Sequence, residues 1–335
     1  VVALGQVRLS IIDLSAAGHQ PMHSRDGRWA IVSNGEIYNY QTLREELIAA
    51  GHTFTTKSDT EVLLHGYEQW GVDLLQRVRG MFTFVIWDKN KQELFGARDH
   101  FGIKPFYYAK MNGTFMYASE IKGLLRHPGF VKELNVEALK PYMTFQYPAI
   151  GETFFKGVYK LPEGHYFTYR DGKMDIHRYY DEDLREGKQK LGELVNSIDQ
   201  TVCDSVKAHQ IADVEVGSFL SSGVDSSYVA AVARPQHTYS IGFGKGTYNE
   251  SQQAGELAEL LKLNNTAESL TDEEAFAAFP RIQWHLDEPD SNPSCVPLYF
   301  LSALAAKDVK VVLSGEGADE LFAGYIDYGV HTKFK

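Results

Sequence analysis

The chain has 335 residues, of which 44% are hydrophobic and 23% charged, with a formal net charge of −11. That length exceeds what one hydrophobic core usually serves, so two domains are expected, and the composition excludes a disordered chain, a coiled coil or a collagen-like fibre. An acidic balance without clustered Lys and Arg argues against nucleic acid as a partner, and no run approaches the about 18 apolar residues of a membrane span.

Up to about residue 180 the pattern is strand-rich, with two helical stretches set into it. The helices are predicted at 42–50, ended by Gly51, and at 60–70, ended by Gly71 with Ser58 or Asp59 as cap. Residues 82–87 and 93–98 flank the polar turn Asp88-Lys89-Asn90-Lys91 and read as a hairpin. A second hairpin is predicted around Asn112-Gly113, a favoured tight-turn pair. The first domain, 1–180, is therefore α+β. The charged run 181–188 reads as a linker or exposed loop.

After it the style alternates. Leu191, Leu194, Val195, Ile198, Val202 and Val206 recur at helical spacing. Then come a strand at 214–220, a helix at 226–232, a strand at 238–243, a helix at 250–261, further helical segments, and a strand at 309–313. Such alternation implies an α/β domain, 181–335, with a parallel sheet whose sites lie beyond the carboxyl ends of its strands.

Three groups of polar residues carry the chemistry. In the first domain, Arg8, the Asn34-Gly35 pair and Asp59 suit an amino-acid ligand. An Arg grips an α-carboxylate with a bidentate fork, an acid holds an α-ammonium, and Asn34 with the Gly35 N–H stabilises an oxyanion. Any one of these taken singly reads equally as a turn residue or a surface ion pair. In the second domain, Ser221-Ser222-Gly223-Val224-Asp225-Ser226-Ser227 follows an apolar strand and opens a helix. Its small residues, hydroxyls and helix N-terminus form an anion cradle, although no Lys follows as in a Walker loop. A serine-rich linker or an ordinary cap would share the composition but not the flanking strand and helix.

The third group is Ser314-Gly315-Glu316-Gly317-Ala318-Asp319-Glu320, again at a strand end. Three acids within five residues repel one another unless a cation or a bound substrate offsets them. Magnesium prefers one or two carboxylates together with phosphate oxygens, so Asp225 and Asp319 form a plausible split Mg²⁺ site. Glu316 suits general-base work, while an acid at a helix N-terminus would have the same placement without that duty.

The 221–227 loop resembles the SGGxDSS pyrophosphate-binding motif of the PP-loop ATP pyrophosphatases, with Ser222 where Gly is usual. The run 314–325, SGEGADELFAGY, resembles the signature of the glutamine-hydrolysing asparagine synthetase family, and Asp287-Glu288-Pro289 and 297–300 are similar to the same family. The first-domain clusters, with Gly80-Met81-Phe82 and 98–105, resemble its glutaminase domain, an N-terminal nucleophile hydrolase.

This resemblance implies an Ntn-hydrolase-like layered β-sandwich followed by an ATP pyrophosphatase domain. It also implies glutamine binding by Arg8, Asn34, Gly35, Glu36 and Asp59, and ATP contacts from Leu220, Ser221, Ser222, Gly223, Asp225, Ser226, Ser227, Ile241, Ser314 and Gly315. Glu316 matches the catalytic acid. The implied reaction adenylates the aspartate side chain, releases pyrophosphate and displaces AMP with glutamine-derived ammonia. Water competes for an acyl-adenylate, so a closed pocket with internal ammonia delivery is expected.

Two other readings share parts of the pattern: a relative that amidates or cyclises another carboxylate, in the manner of β-lactam synthetases, and a ligand-binding protein with an inactive glutaminase. The latter arises because the chain opens on Val1, whereas the glutaminases it resembles use an amino-terminal Cys. Neither Cys203 nor Cys295 can substitute, since both fall in the second domain. With no initiator Met and its last motif near Lys335, the chain reads as one lacking part of each terminal domain. The two cysteines lack metal or disulfide-framework spacing, and the opening residues lack signal-peptide character, so a cytoplasmic setting is expected. The expected partners are glutamine, aspartate and ATP, with a second copy of the chain, as a homodimer, also allowed. His19 and His23 flank Pro21, which disfavours a helical zinc pair and leaves them loop histidines.

Overall fold

The computed structural model describes residues 1–147, 149–183, 185, 187–243, 250–325 and 328. The chain divides into two compact units, Val1–Gly187 with Gln283–Ser291, and Lys188–Ile282 with Asn292–Lys335. Within the charged run 181–188, Leu184 and Glu186 lie outside the described residues.

The first unit contains strands β1 (Met22–His23), β2 (Trp29–Ile37), β3 (Gly80–Asp88), β4 (Glu93–Arg98), β5 (Tyr107–Met111), β6 (Thr114–Ala118), β7 (Val158–Lys160), β8 (His165–Arg170) and β9 (Lys173–Arg178). Its helices are α1 (Tyr40–Ala49), α2 (Asp59–Trp70), α3 (Ile121–Leu124) and α4 (Leu139–Phe145). Six strands form an antiparallel sheet in the order β1-β2-β3-β4-β8-β9, and β6-β5-β7 form a second sheet. The expected hairpin is β3–β4, with Trp87 opposite Leu94 and Asp88 opposite Glu93. Asn112 and Gly113 both take positive φ, 50° and 75°, as a two-residue turn of matching twist requires.

Period-two alternation sorts the side chains of the large sheet into two cores. Ile31, Phe82, Phe84, Ile86 and Phe95 pack with Leu43 and Leu47 of α1 and Val62, Leu63 and Leu64 of α2. Their neighbours Val32, Val85, Leu94 and Phe167 face the other way, onto Phe106, Tyr108, Phe115 and Tyr117. Helices, large sheet and small sheet thus form three layers. Ser58 caps α2 by accepting the Thr60 N–H at 3.2 Å, and Gly71, at φ 58°, ends it.

The segment Gln283–Ser291 belongs to this first unit although it follows most of the second in sequence. The Asp287 carboxylate accepts the N–H groups of Ile121 (2.6 Å) and Lys122 (3.2 Å), filling the cap that Glu120 leaves open on α3. Glu288 accepts the Phe154 N–H at 3.0 Å and pairs with Lys160 at 2.7 Å. The acidic Asp287-Glu288-Pro289 turn therefore has a structural occupation in the first unit.

The second unit runs α5 (Leu191–His209), β10 (Val216–Phe219), α6 (Val224–Ala233), β11 (His237–Phe243), α7 (Glu250–Leu261), β12 (Asn264–Leu270), α8 (Asp272–Leu286, whose last turn from Gln283 falls in the first unit), α9 (Cys295–Ala305), β13 (Val311–Leu313) and α10 (Ala318–Phe322). All of its strand pairs are parallel, in the order β12-β11-β10-β13. Strand β12 replaces part of the run expected to be helical. Its residues Asn264 to Ser269 show no apolar alternation because this is an edge strand, and only its terminal Leu270 is fully buried. The chain steps from β10 outward to β11 and β12 and then returns to the other side of β10 as β13. The crevice between the carboxyl ends of β10 and β13 is thus a topological switch point, where open α/β sheets bind ligands.

Candidate functional site

Each unit carries a cavity at its predicted residues. The first, of about 840 Å³, is lined by Arg8, Asn34, Gly35, Glu36 and Asp59, all five of the residues expected to meet glutamine. Asn34, Gly35 and Glu36 lie near the end of β2, while Asp59 opens α2. The two elements are stitched together. The Ile37 N–H donates to Asp59 Oδ2 at 2.9 Å, and Gln20 accepts the Ser33 N–H at 2.6 Å while its amide donates to Thr60 Oγ1 at 3.2 Å.

Gly35 has φ 146°, and a Cβ there would stand 2.0 Å from the Met81 carbonyl oxygen on β3. Only glycine permits that approach. Asn34 donates from Nδ2 to Ser119 Oγ at 3.1 Å. Arg8 uses Nη2 on the carbonyls of Ile12 (2.6 Å) and Asp13 (2.8 Å), so part of the fork expected to meet a carboxylate holds the 12–15 loop instead.

Glu36, Asp59 and Glu120 line this cavity together with Arg8 and Lys104. Burial, reinforced by the neighbouring Asp59 charge, pushes the Glu36 carboxyl up to about 7. Its Oε1 is buried without a hydrogen-bond partner among the described residues. Burial also raises Asp59 above the usual carboxylate range, opposed by the Ile37 N–H. Two buried acids side by side, one with an orphaned oxygen, call for a cationic group between them.

The second cavity, of about 530 Å³, lies at the switch point and is lined by residues from both predicted loops. Leu220, Ser221, Gly223, Asp225, Ser226 and Ile241 meet Ser314, Gly315, Glu316 and Asp319 there. Ser222 and Ser227 are not among the lining residues. Ser222 is exposed, and Ser227 Oγ donates to the Gly223 carbonyl at 2.6 Å inside the first turn of α6.

The 221–227 loop is folded on itself. Ser226 Oγ accepts the Ser221 N–H at 3.1 Å and lies 2.7 Å from Ser221 Oγ, while the Gly223 N–H donates to Ser221 Oγ at 3.1 Å. Gly315 brings the second loop onto the first: a Cβ there would stand 2.8 Å from both Asp225 Cβ and Ser226 N. Gly317, at φ 89°, turns the chain into α10, which carries Asp319.

Among the described residues no Lys or Arg lines this second cavity, although Asp225, Glu316 and Asp319 all do. The Asp225 and Asp319 carboxylates have no hydrogen-bond or ion-pair partner among the described residues. A hard divalent cation fits that donor set, and the N-terminus of α6 offers the complementary field for phosphate oxygens.

Other lining residues were not singled out from sequence. Gln20 and Ser119 in the first unit, and Phe243, Ser294 and Leu301 in the second, reach their cavities from separate elements with no shared spacing to reveal them. Among the described residues no helix is long and apolar enough to cross a membrane.

Residues 1–180 match the family described as the glutamine amidotransferase domain, and residues 197–334 the family described as asparagine synthase. The chain is 43% identical over 332 residues to asparagine synthetase [glutamine-hydrolyzing] 1 of Bacillus subtilis (strain 168), covering 98% of this chain and 52% of that protein. It is 42% identical to a putative asparagine synthetase [glutamine-hydrolyzing] of Mycobacterium tuberculosis H37Rv, over 98% of this chain and 53% of the relative. Putative asparagine synthetase [glutamine-hydrolyzing] 2 of Methanocaldococcus jannaschii is 35% identical, with 98% of this chain and 67% of the relative aligned. The chain thus spans about half the length of the first two relatives.

Proposed function

The chain belongs to the glutamine-hydrolysing asparagine synthetase family, and from that premise we propose that it makes asparagine from aspartate, ATP and glutamine-derived ammonia. The observation that carries this reading is the meeting of two loops at the switch point of the parallel sheet, with Gly315 seated on Asp225 and Ser226.

In the proposed reaction an oxygen of the aspartate side-chain carboxylate attacks the α-phosphorus of ATP and pyrophosphate leaves. Ammonia then adds to the acyl carbon, AMP departs, and the surplus proton passes to a base. The 221–227 loop and the start of α6 hold phosphate oxygens through N–H and hydroxyl groups. Leu220, just past β10, and Ile241, two residues before the end of β11, border the nucleotide, and Ser314 and Gly315 close on it. Asp225 and Asp319 would hold Mg²⁺, which supplies charge neutralisation to the phosphates. Glu316 takes the proton from the attacking ammonia. Aspartate-dependent release of AMP and pyrophosphate, rather than ADP and phosphate, tests this reading. The reading extends to a cytoplasmic enzyme that pairs as a homodimer, checked by light scattering of the full-length protein.

In the first cavity, glutamine would place its α-ammonium between Glu36 and Asp59 and its side-chain amide against Asn34 and the Gly35 N–H. Arg8 would face the α-carboxylate with the guanidinium N–H groups not engaged by the 12–15 loop. Glu36 binds a proton below about 7. Protonation removes its attraction for ammonium, so glutamine affinity rises as pH rises through that value. By linkage the affinity should be about tenfold weaker at pH 6 than at pH 8. Calorimetric titration with glutamine at both pH values checks this, and Glu36→Gln should flatten the profile. An equally steep profile in the variant removes Glu36 from the site.

A further inference from the structure

A second polar cluster stands in the first unit, apart from the residues that line the glutamine cavity. His52 follows α1, and His65 and Glu68 lie one turn apart on α2. One coordinating atom from each lies within 4.8 Å of the other two. Glu68 Oε2 is 3.3 Å from His65 Nδ1 and 3.5 Å from His52 Nδ1. Ligands 2.0–2.1 Å from a tetrahedral Zn²⁺ are separated by about 3.4 Å, so both distances match a coordination edge.

The outer nitrogens determine what the inner ones offer. His52 Nε2 is 2.9 Å from Gln69 Oε1, an acceptor, which places the ring proton on Nε2. His65 Nε2 faces Glu61 Oε1 at 3.7 Å, and Glu61 is itself fixed by the N–H and hydroxyl groups of Thr55 and Thr56 at 2.7–2.9 Å. His65 Nδ1 is also within hydrogen-bond reach of Glu68 Oε2 at 3.3 Å, so in the metal-free chain a proton on the His65 ring bridges it to that carboxylate. A divalent cation would displace this proton and take the two Nδ1 lone pairs together with the carboxylate oxygen, leaving the His65 Nε2–H toward Glu61. Carboxylate or carbonyl partners on the far nitrogen are the usual second layer around metal-bound histidines. His65 is buried and His52 nearly so, whereas Glu68 is exposed, leaving a coordination position open to water.

We propose that His52, His65 and Glu68 form a structural site for a divalent transition-metal ion, Zn²⁺ by ligand type, that clips the segment after α1 to the middle of α2. Mixed imidazole and carboxylate donors suit Zn²⁺ better than Mg²⁺ or Ca²⁺, which take oxygen ligands. The site is independent of the ATP reading, because none of its residues lines the second cavity.

The test is isothermal titration of Zn²⁺ into the full-length protein prepared without a histidine tag, alongside His52→Ala, Glu68→Gln and Asp319→Asn. One saturable equivalent is expected, weakened at least tenfold in the first two variants and unchanged in Asp319→Asn. Zn²⁺ should raise the thermal midpoint of the parent protein and not of His52→Ala, whose circular dichroism without metal should match the parent. Absence of a saturable equivalent, equal affinity in all variants, or loss in Asp319→Asn alone overturns the site.

Discussion

Glu316→Gln is expected to leave ATP binding within a few-fold and to lower asparagine formation by about 10²- to 10⁴-fold, the usual contribution of a positioned general base. The side chain is exposed at the cavity mouth, and its loop is shaped by Gly315 on one side and the positive-φ Gly317 on the other. An amide of the same size keeps the loop packing and removes only the capacity to accept a proton. A change in charge alone, such as loss of a favourable acid near the short helix α10, would cost about 1 kcal/mol or less and shift both measures together. Nucleotide binding by calorimetry and product formation by amino-acid analysis separate the two effects. Undiminished synthesis in the variant removes Glu316 from the mechanism.

Gly35→Ala is expected to destabilise the first unit by about 3 kcal/mol or more and to abolish glutamine binding. Backbone atoms, rather than a movable side chain, occupy the space a methyl group would need: the Met81 carbonyl oxygen at 2.0 Å and Phe82 Cα at 2.6 Å. Overpacking in a fixed core commonly costs about 1–3 kcal/mol, and a positive φ forced on a non-glycine residue adds to it. Strand β2 is paired along its whole length with β3, from Trp29 opposite Asp88 to Ile37 opposite Gly80, so displacement at Gly35 carries Asn34 and Glu36 with it. Denaturant unfolding and glutamine titration report the two consequences. A variant with parental stability and affinity contradicts the role assigned to this close approach.

Much of the fold was legible because its signals are local. The β3–β4 hairpin announced itself through two apolar runs about a polar turn, and α2 through Ser58 and Gly71. Helix α7 was expected at the limits it occupies, while α6 begins two residues early because Gly223, rather than a serine, caps it. Strand β12 was missed since an edge position needs no apolar alternation, so Asn264 to Ser269 carry no strand signature of their own.

The two cavities were legible as sets of residues, because strand-end glycines and acids in fixed order leave a trace in sequence. How their side chains are engaged was not. The use of Arg8 on loop carbonyls, the orphaned Glu36 oxygen and the return of Asp287 to cap α3 depend on contacts between distant residues that no spacing encodes. The His52, His65 and Glu68 cluster was hidden for the same reason, since its members come from two elements and only two of them share a helical turn.

The central claim is that the loops after β10 and β13 jointly activate a carboxylate with ATP. Exchange of labelled pyrophosphate into ATP by the full-length protein, in the presence of Mg²⁺ and without glutamine or ammonia, addresses it most directly. Exchange that requires aspartate is the predicted result. Exchange that proceeds equally without aspartate, or none with aspartate while ATP is bound, would contradict it.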